Sequence, residues 1–250
     1  MAQRARRQGV SRQRVQALCF DLDGTLLDGS GLQTAIHRTC EQRAVLRPGL
    51  DMARLVAANR AVWQDYWPEV EDLWTHGALD GAAVGYEAWR RTLRACGCTD
   101  EAVVYRAVQI HRQLERATYR LFDDVHALFT LLRRVGVPRA LITNGASDTQ
   151  RDKLRVLGVE DWFDAVVISG DVGRAKPDAA IFRLALNQLA AAPEQVWHVG
   201  DSLTTDVAGA QVAGLTAVWL NRSGRARRAS DPAPDVEIAS LAQLLALLAT

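Results

Sequence analysis

The chain has 250 residues, and its 30 basic and 29 acidic side chains give a formal net charge of +1. This length allows one large domain or two unequal ones. Its hydrophobic share of 48% and charged share of 24% are typical of a globular protein. The balanced charge argues against a nucleic-acid or membrane-surface partner, and no apolar stretch approaches the roughly 20 residues that span a bilayer.

The first segment of the chain, residues 1–14, carries five arginines and no acidic residue. We expect a disordered, solvated basic tail there. No apolar run follows it, so a secretory signal is not expected. The four cysteines form neither a CxxC redox motif nor a zinc-binding pair; they are Cys19, Cys40, Cys96 and Cys98. These features predict reduced thiols and a cytoplasmic enzyme.

Two patterns of apolar residues follow the tail. Residues 15–21 are a short apolar run that predicts a buried strand. Over residues 32–119, apolar residues recur at spacings of three and four, which predicts helices. The expected breaks are near Pro48, Pro68, residues 77–85 and Gly97. We expect the tryptophans of this segment to be mostly helix-packing core, and the alternative left open is that one or two of them stack on a substrate. They are Trp63, Trp67, Trp74 and Trp89.

From residue 123 onward, β-rich runs alternate with helical segments. The predicted strands are residues 138–143, 165–169, 196–200 and 216–220. The predicted helices are residues 124–135, 147–157, 178–191, 204–213 and 241–248. This alternation is typical of βαβ units and a parallel sheet. Residues 222–235 are polar and predict an exposed loop. The sequence therefore predicts an α/β domain that is interrupted early by a helical insertion.

Polar side chains follow four of the predicted strands. In an open parallel sheet, ligands bind beyond the carboxyl ends of the strands. The residues at those ends, or in the loops after them, are Asp21, Asp23, Thr143, Asn144, Gly145, Lys176, Asp201 and Asp206. One edge of the sheet would thus gather carboxylates, a hydroxyl group, an amide and a lysine.

Carboxylates gathered at one edge need compensation for their mutual repulsion. Two like charges about 4 Å apart repel by roughly 4 kcal/mol at an effective dielectric constant of 20. Either one carboxyl group is protonated or a cation binds between them. Oxygen ligands suit Mg²⁺, which commonly also binds a substrate phosphate, and no His or Cys clusters there to favour zinc or iron. We therefore expect Mg²⁺.

The chemistry of these side chains suggests a role for each. An aspartate beside a metal can act as a covalent nucleophile and become an aspartyl-phosphate, and Asp21 is the candidate. Asp23 is close enough to move the proton of the leaving group. Thr143 and Asn144, with turn N–H groups, can hold phosphate oxygens. Lys176 can neutralise charge on the nucleophile and on the transferring group.

Four segments together resemble the ordered motifs of the haloacid dehalogenase superfamily. They are Asp21-Leu-Asp-Gly-Thr25, Thr143-Asn144-Gly145, Lys176-Pro177 and Gly200-Asp-Ser-Leu-Thr-Thr-Asp206. The resemblance covers residues 15–222. It implies a Rossmann-like parallel-sheet core of residues 15–30 and 120–250, with an inserted all-helical cap of residues 31–119.

The resemblance also implies a Mg²⁺-dependent hydrolase of small phosphomonoesters. Asp21 would be the nucleophile and a metal ligand, and Asp201 would be the other carboxylate ligand. Asp23 would be general acid and base and would give the metal its backbone carbonyl, which argues against the dehalogenase branch. Asp206 would not bind the metal directly but would orient the residues of the site.

The resemblance further implies that the substrate phosphate is bound by Thr143, Asn144, Gly145 and Lys176. Residues 143–154 and 200–224 look most like the N-acylneuraminate-9-phosphatase and pyrimidine-nucleotidase branch. The substrate would then be a small phosphorylated metabolite, either a sugar phosphate or a nucleoside monophosphate.

Two other functions remain open at this point. A phosphosugar mutase on the same fold would depend on a bisphosphate activator. A receiver-type signalling module also places an aspartate, a hydroxyl residue and a lysine at the strand ends of a parallel sheet. Receivers are shorter, however, and lack a helical insertion after the first acidic strand. The sequence does not indicate an oligomeric state.

Overall fold

A sheet of six strands forms the centre of the computed structural model, which describes residues 15–42 and 46–248. The strands are β1 (Ala17–Phe20), β2 (Arg139–Thr143), β3 (Ala165–Ile168), β4 (Val196–Gly200), β5 (Thr216–Leu220) and β6 (Val236–Ile238). They lie in the order β3-β2-β1-β4-β5-β6, each parallel to its neighbours. The predicted basic tail at residues 1–14 lies outside the described residues.

The helices occupy two parts of the chain. Before β2 they are α1 (Leu32–Glu41), α2 (Met52–Thr75), α3 (Gly81–Ala95), α4 (Glu101–Arg116) and α5 (Val125–Val135). After β2 they are α6 (Ser147–Leu157), α7 (Ser169–Val172), α8 (Ala179–Leu189), α9 (Ala208–Val212) and α10 (Leu241–Leu248). A π-helical turn, Leu203–Val207, stands where the sequence predicts the start of an ordinary helix.

The sheet is covered on both faces, which explains why β1 is apolar at every position. The side chains of Ala17 and Cys19 belong to an apolar cluster on one face, and those of Leu18 and Phe20 to a cluster on the other. Successive side chains of a strand point to opposite faces, so a strand buried on both sides has no polar position. Burial raises the pKa of the Cys19 thiol to about 12, which keeps it protonated and unreactive.

The helices α1 to α4 pack on one another and form two apolar clusters of their own. Asp51, Asp80 and Asp100 cap α2, α3 and α4 by accepting hydrogen bonds from backbone N–H groups in the first turn. These helices lie where the sequence predicts a cap, and the exact division into core and cap stays a prediction.

One local prediction fails, and one strand was not predicted. The predicted break at Pro68 is wrong, because α2 continues through it to Thr75. Pro68 is exposed, so water can satisfy the carbonyl group that loses its helical partner. The strand β6 was not predicted; with three residues it is too short to show a periodicity, and it follows directly after the polar loop.

A half-buried histidine joins two helices of the insertion. The Thr39 hydroxyl donates to the Ala35 carbonyl at 2.7 Å, so it can only accept a hydrogen bond from Nδ1 of His111, 3.1 Å away. The imidazole also lies against the indole of Trp89, with ring centroids 5.4 Å apart. Burial in this apolar cluster lowers the pKa of His111 to about 4.

This shift predicts acid sensitivity of the fold. An unfolded imidazole titrates near pH 6.5. As the pH falls below that value, the imidazole takes up a proton in the unfolded chain, whereas in the folded protein it stays neutral until about pH 4. The free energy of unfolding therefore decreases over this range. We expect His111→Gln to reduce this slope in urea titrations between pH 7.5 and 4, after both proteins are referenced to pH 7.5. An unchanged slope would contradict the assignment.

Candidate active site

Three adjacent strands deliver the candidate residues to one edge of the sheet. Asp21 follows β1, Thr143 is the last residue of β2, and Asp201 follows the last residue of β4. The strands β2, β1 and β4 are neighbours in the sheet. Their parallel arrangement places all three residues at the same edge, which is where ligands bind in sheets of this kind.

A buried ammonium group occupies the centre of this edge. Nζ of Lys176 lies 2.5 Å from Oδ1 of Asp21 and 2.7 Å from Oδ1 of Asp206. Burial alone would lower the pKa of Lys176, but the two carboxylates outweigh burial and raise it. The lysine is therefore a fixed positive charge between two acids.

Asn144 positions this lysine through its backbone. Oδ1 of Asn144 accepts from the N–H of Lys176 at 2.8 Å, and Nδ2 of Asn144 donates to the Lys176 carbonyl at 2.9 Å. The two hydrogen bonds clamp the loop after β3 to the end of β2. The amide that was predicted to hold phosphate thus holds the lysine in this structure.

Asp206 is enclosed by hydrogen-bond donors. Its Oδ1 lies 3.0 Å from Nε2 of His198, and its Oδ2 accepts from the backbone N–H of Ser202 at 3.0 Å. Burial opposes ionisation of Asp206, but Lys176 and His198 outweigh it and lower the pKa of the carboxyl group. Asp206 is consequently a buried carboxylate whose oxygens are already engaged.

One oxygen from each of Asp21, Asp201 and Asp206 lies within 4.8 Å of the other two. Burial raises the pKa of Asp21 despite the opposing charge of Lys176. Partial desolvation by the surrounding protein, together with the charge of the nearby Asp206, raises the pKa of Asp201 to about 6, although the residue is exposed. Three carboxylates around one lysine leave an excess of negative charge, and these all-oxygen donors fit a hard divalent cation.

Gly24 permits the close approach of the two acidic loops. Its φ is +83°, a backbone conformation that other residues rarely adopt. A Cβ atom at this position would lie 2.5 Å from Oδ2 of Asp201. The glycine of the first motif is therefore required by geometry, because a side chain there would displace a candidate metal ligand.

Asp23 stands apart from this cluster and has its own partners. Nζ of Lys153 lies 2.8 and 2.9 Å from its two carboxylate oxygens, and Nε2 of Gln150 donates to Oδ2 at 2.9 Å. The Asp23 side chain is 43% exposed. Desolvation by the surrounding protein would raise the pKa of Asp23. The charge of Lys153 and the hydrogen bond from Gln150 outweigh that effect and lower the pKa.

Gln150 and Lys153 were not among the predicted site residues. Gln150 is fully buried and also donates to Oγ1 of Thr143 at 2.5 Å and to the Asn144 carbonyl at 3.1 Å. The two residues are three apart on α6, so they share one face of that helix. Lys153 is one of two lysines in the chain, and its place in the second turn of the helix that follows the Thr143 motif was the available signal.

The third candidate phosphate residue, Gly145, connects the strand edge to the inserted helices. Its N–H donates to Oγ of Ser169 at 2.8 Å, and that hydroxyl donates to the Thr75 carbonyl at 2.5 Å. The φ of Gly145 is +139°, and a Cβ there would lie 2.5 Å from the ring of Trp74. The turn after β2 and the end of α2 are therefore in direct contact.

The family description for haloacid dehalogenase-like hydrolases matches residues 15–214. The chain belongs to this family. It is 33% identical over 253 aligned positions to phosphoserine phosphatase of Thermus thermophilus, covering 92% of this chain and 98% of that one. It is 30% identical to N-acylneuraminate-9-phosphatase of Mus musculus, covering 94% of each, and 31% identical to pyrimidine 5'-nucleotidase YjjG of Escherichia coli, covering 92% and 96%.

Solved structures of the family share its fold. A 2-haloacid dehalogenase from Pseudomonas syringae superposes with a TM-score of 0.67 at 25% identity, over 94% of this chain and 98% of that one. The hydrolase YfnB from Bacillus subtilis gives 0.68 at 24% identity, over 95% and 100%. The predicted family and the predicted Rossmann-like fold are confirmed. Within the described residues, no helix is long and apolar enough to cross a membrane.

The packing around Asp206 yields a test by substitution. A Cβ at Gly200 would lie 2.2 Å from Cγ of Asp206, so Gly200→Ala must displace that carboxylate from its partners. We expect a loss of about 1–3 kcal/mol in the free energy of unfolding, measured by urea denaturation, together with reduced hydrolase activity. Gly29 has open space around it, and Gly29→Ala should change stability by no more than about 0.5 kcal/mol. Equal effects at both positions would contradict the packing argument.

Proposed function

We propose that the protein is a Mg²⁺-dependent phosphatase that hydrolyses small phosphomonoesters through an aspartyl-phosphate on Asp21. The enzyme class, a phosphoric monoester hydrolase, agrees with the names of the three relatives described above. The observation that carries the proposal is the division of acids at the site. Asp21 pairs with Lys176, whereas Asp23 is held separately by Lys153.

This division suits a reaction that needs two acids with different tasks. One carboxylate must attack phosphorus, and another must exchange protons with the leaving group and then with water. Dehalogenation requires no acid for the leaving group. The separate support of Asp23 therefore favours phosphoryl transfer over the dehalogenase chemistry named for the Pseudomonas neighbour.

Metal binding is assigned to Asp21, Asp201 and the backbone carbonyl of Asp23. When bound, Mg²⁺ would offset the charge of the substrate phosphate and of the carboxylates. Asp206 is close enough to join the cluster, but Lys176, His198 and a backbone N–H engage its oxygens. Its proposed role is to hold Lys176 in place.

In the first half-reaction, the Asp21 oxygen that does not bond Lys176 attacks phosphorus, and the bond to the leaving-group oxygen breaks. Asp23, having taken up a proton, gives it to that oxygen. Lys176 stabilises the charge that develops on the transferring group. Thr143 and Gly145 stand at the strand edge where the phosphate oxygens would lie.

In the second half-reaction, Asp23 accepts a proton from water, and the resulting hydroxide attacks the phosphorus of the aspartyl-phosphate. The bond between phosphorus and Asp21 breaks, inorganic phosphate leaves, and Asp21 is again a free carboxylate. Asp23 is then protonated for the next turnover. Steady release of phosphate distinguishes this cycle from a receiver module, which would turn over once and slowly.

Substitution of the nucleophile tests the proposal. Asp21→Asn keeps the shape of the side chain but removes its nucleophilic charge, so phosphate release should fall below detection. Circular dichroism and the unfolding midpoint should show a folded protein. The measurement is phosphate release from a panel of sugar phosphates and nucleoside monophosphates with Mg²⁺. Retained Mg²⁺-dependent turnover in the variant would exclude Asp21 as the nucleophile.

Substitution of Lys153 tests the separate support of Asp23. Lys153→Met removes the ammonium group that bonds both Asp23 oxygens. We expect kcat to fall about 10- to 100-fold because general acid–base catalysis loses its positioned group, with a smaller change in KM. Lys153→Arg keeps a cation and should retain more activity than Lys153→Met. If both variants matched the wild type, Lys153 would have no positioning role.

A further inference from the structure

A large cavity lies beside the candidate active site. Its volume is about 1380 Å³, and it is lined by residues of α1 to α4 and of α6. Sites for drug-sized ligands commonly measure about 300–1,000 Å³. The cavity therefore has room for a group much larger than an amino-acid side chain.

The cavity is continuous with the catalytic residues at two points. Lys153 lines it, and the Nζ atom of the same lysine bonds Asp23. Trp74 also lines it, and its ring packs against Gly145 at the end of β2. A substrate with its phosphate at Asp21 would thus extend its leaving group into this space.

One wall of the cavity is a row of aromatic rings on α2. We call Trp63, Trp67 and Trp74 the tryptophan row. Successive members have ring centroids 6.0 and 5.3 Å apart, and their spacing of four and seven residues places them on one face of the helix. All three are only partly buried. Part of each apolar ring therefore remains open toward the cavity.

The two acidic groups that α6 contributes to the cavity are already paired. Asp148 accepts hydrogen bonds from the N–H groups of Gly81 and Ala82 at 2.8 and 3.0 Å. Asp152 forms ion pairs with Arg116 and Arg155. Arg60 and Arg112 also line the cavity, but the rings of the tryptophan row carry no charge, so the part of the occupant that lies on them is apolar and flat.

We propose that the cavity binds a planar ring in the leaving group of the substrate, stacked on the tryptophan row. This inference rests on the phosphatase function proposed above, because the phosphate of the same molecule would occupy the strand edge. It narrows the substrate class to phosphomonoesters of ring-bearing alcohols. A nucleobase and a simple aryl group share this chemistry, and the experiment separates them.

Two matched substrate pairs test the inference in the wild-type enzyme with Mg²⁺. Uridine 5'-monophosphate is compared with ribose 5-phosphate, which lacks the base. Benzyl phosphate is compared with propyl phosphate, whose leaving group is also an alkoxide, so reactivity contributes little to the difference. Stacking on aromatic side chains predicts a kcat/KM ratio of about 10 to 100 in favour of the ring in at least one pair.

Trp67→Leu removes the central ring of the tryptophan row but keeps an apolar side chain. We expect this variant to lower the ring-to-ringless ratio by about tenfold. Trp67→Phe restores a ring and should keep most of the preference. Tyr105 is 60% exposed and does not line the cavity, so Tyr105→Ala serves as a control that should leave the ratio unchanged.

The outcomes separate the two proposals. A preference in the uridine pair alone assigns a nucleobase, and a preference in the benzyl pair alone assigns an aryl group. Ratios near one in both wild-type pairs overturn the inference while leaving the phosphatase intact. A Trp67→Leu variant that slows both members of a pair equally has lost structure rather than stacking, which also overturns it. No phosphate release from any of the four compounds, or from the panel of sugar phosphates and nucleoside monophosphates described above, would reject the proposed function itself.

Discussion

A single buried lysine holds the acidic edge of the sheet together. Lys176 bonds Asp21 and Asp206 at 2.5 and 2.7 Å. Without it, the two carboxylates, which have oxygens within 4.8 Å of each other, would repel by roughly 3–4 kcal/mol even at an effective dielectric constant of 20. Asn144 clamps the lysine backbone. Asp201 adds a third acid to the cluster, so one lysine does not supply enough positive charge to balance the carboxylates. We expect a divalent cation for this reason.

The sequence predicted the sheet and the acidic edge because both follow from general rules. Apolar runs that alternate with helices predict parallel strands, and parallel strands carry their loops to one edge. Asp21, Asp201 and Asp206 therefore came together as expected. The contacts of Gln150 and Lys153 were not predicted. Their placement depends on which face of α6 turns toward the strand edge, and a short polar helix offers little apolar periodicity to fix that face.

The position of the inserted helices on the core was likewise not predictable from the sequence. Their existence followed from periodicity, but their position on the core depends on tertiary contacts, among them the following three. Gly145 packs under Trp74, Ser169 bonds the Thr75 carbonyl, and Asp148 bonds the N-terminus of α3. Each joins segments far apart in the chain. Through these contacts, the turn that follows β2 lies against both the strand edge and the cavity. The same turn therefore borders the site proposed for the phosphate and the site proposed for the leaving group.

The most direct test is to identify the covalent intermediate. Wild-type protein is mixed with Mg²⁺ and an excess of an activated aryl phosphate, quenched in acid within milliseconds to seconds, digested and sequenced by mass spectrometry. The account predicts a phosphoryl group on Asp21 that disappears as substrate is exhausted. A phosphoryl group on another residue, or full turnover without any phosphorylated peptide, would contradict it.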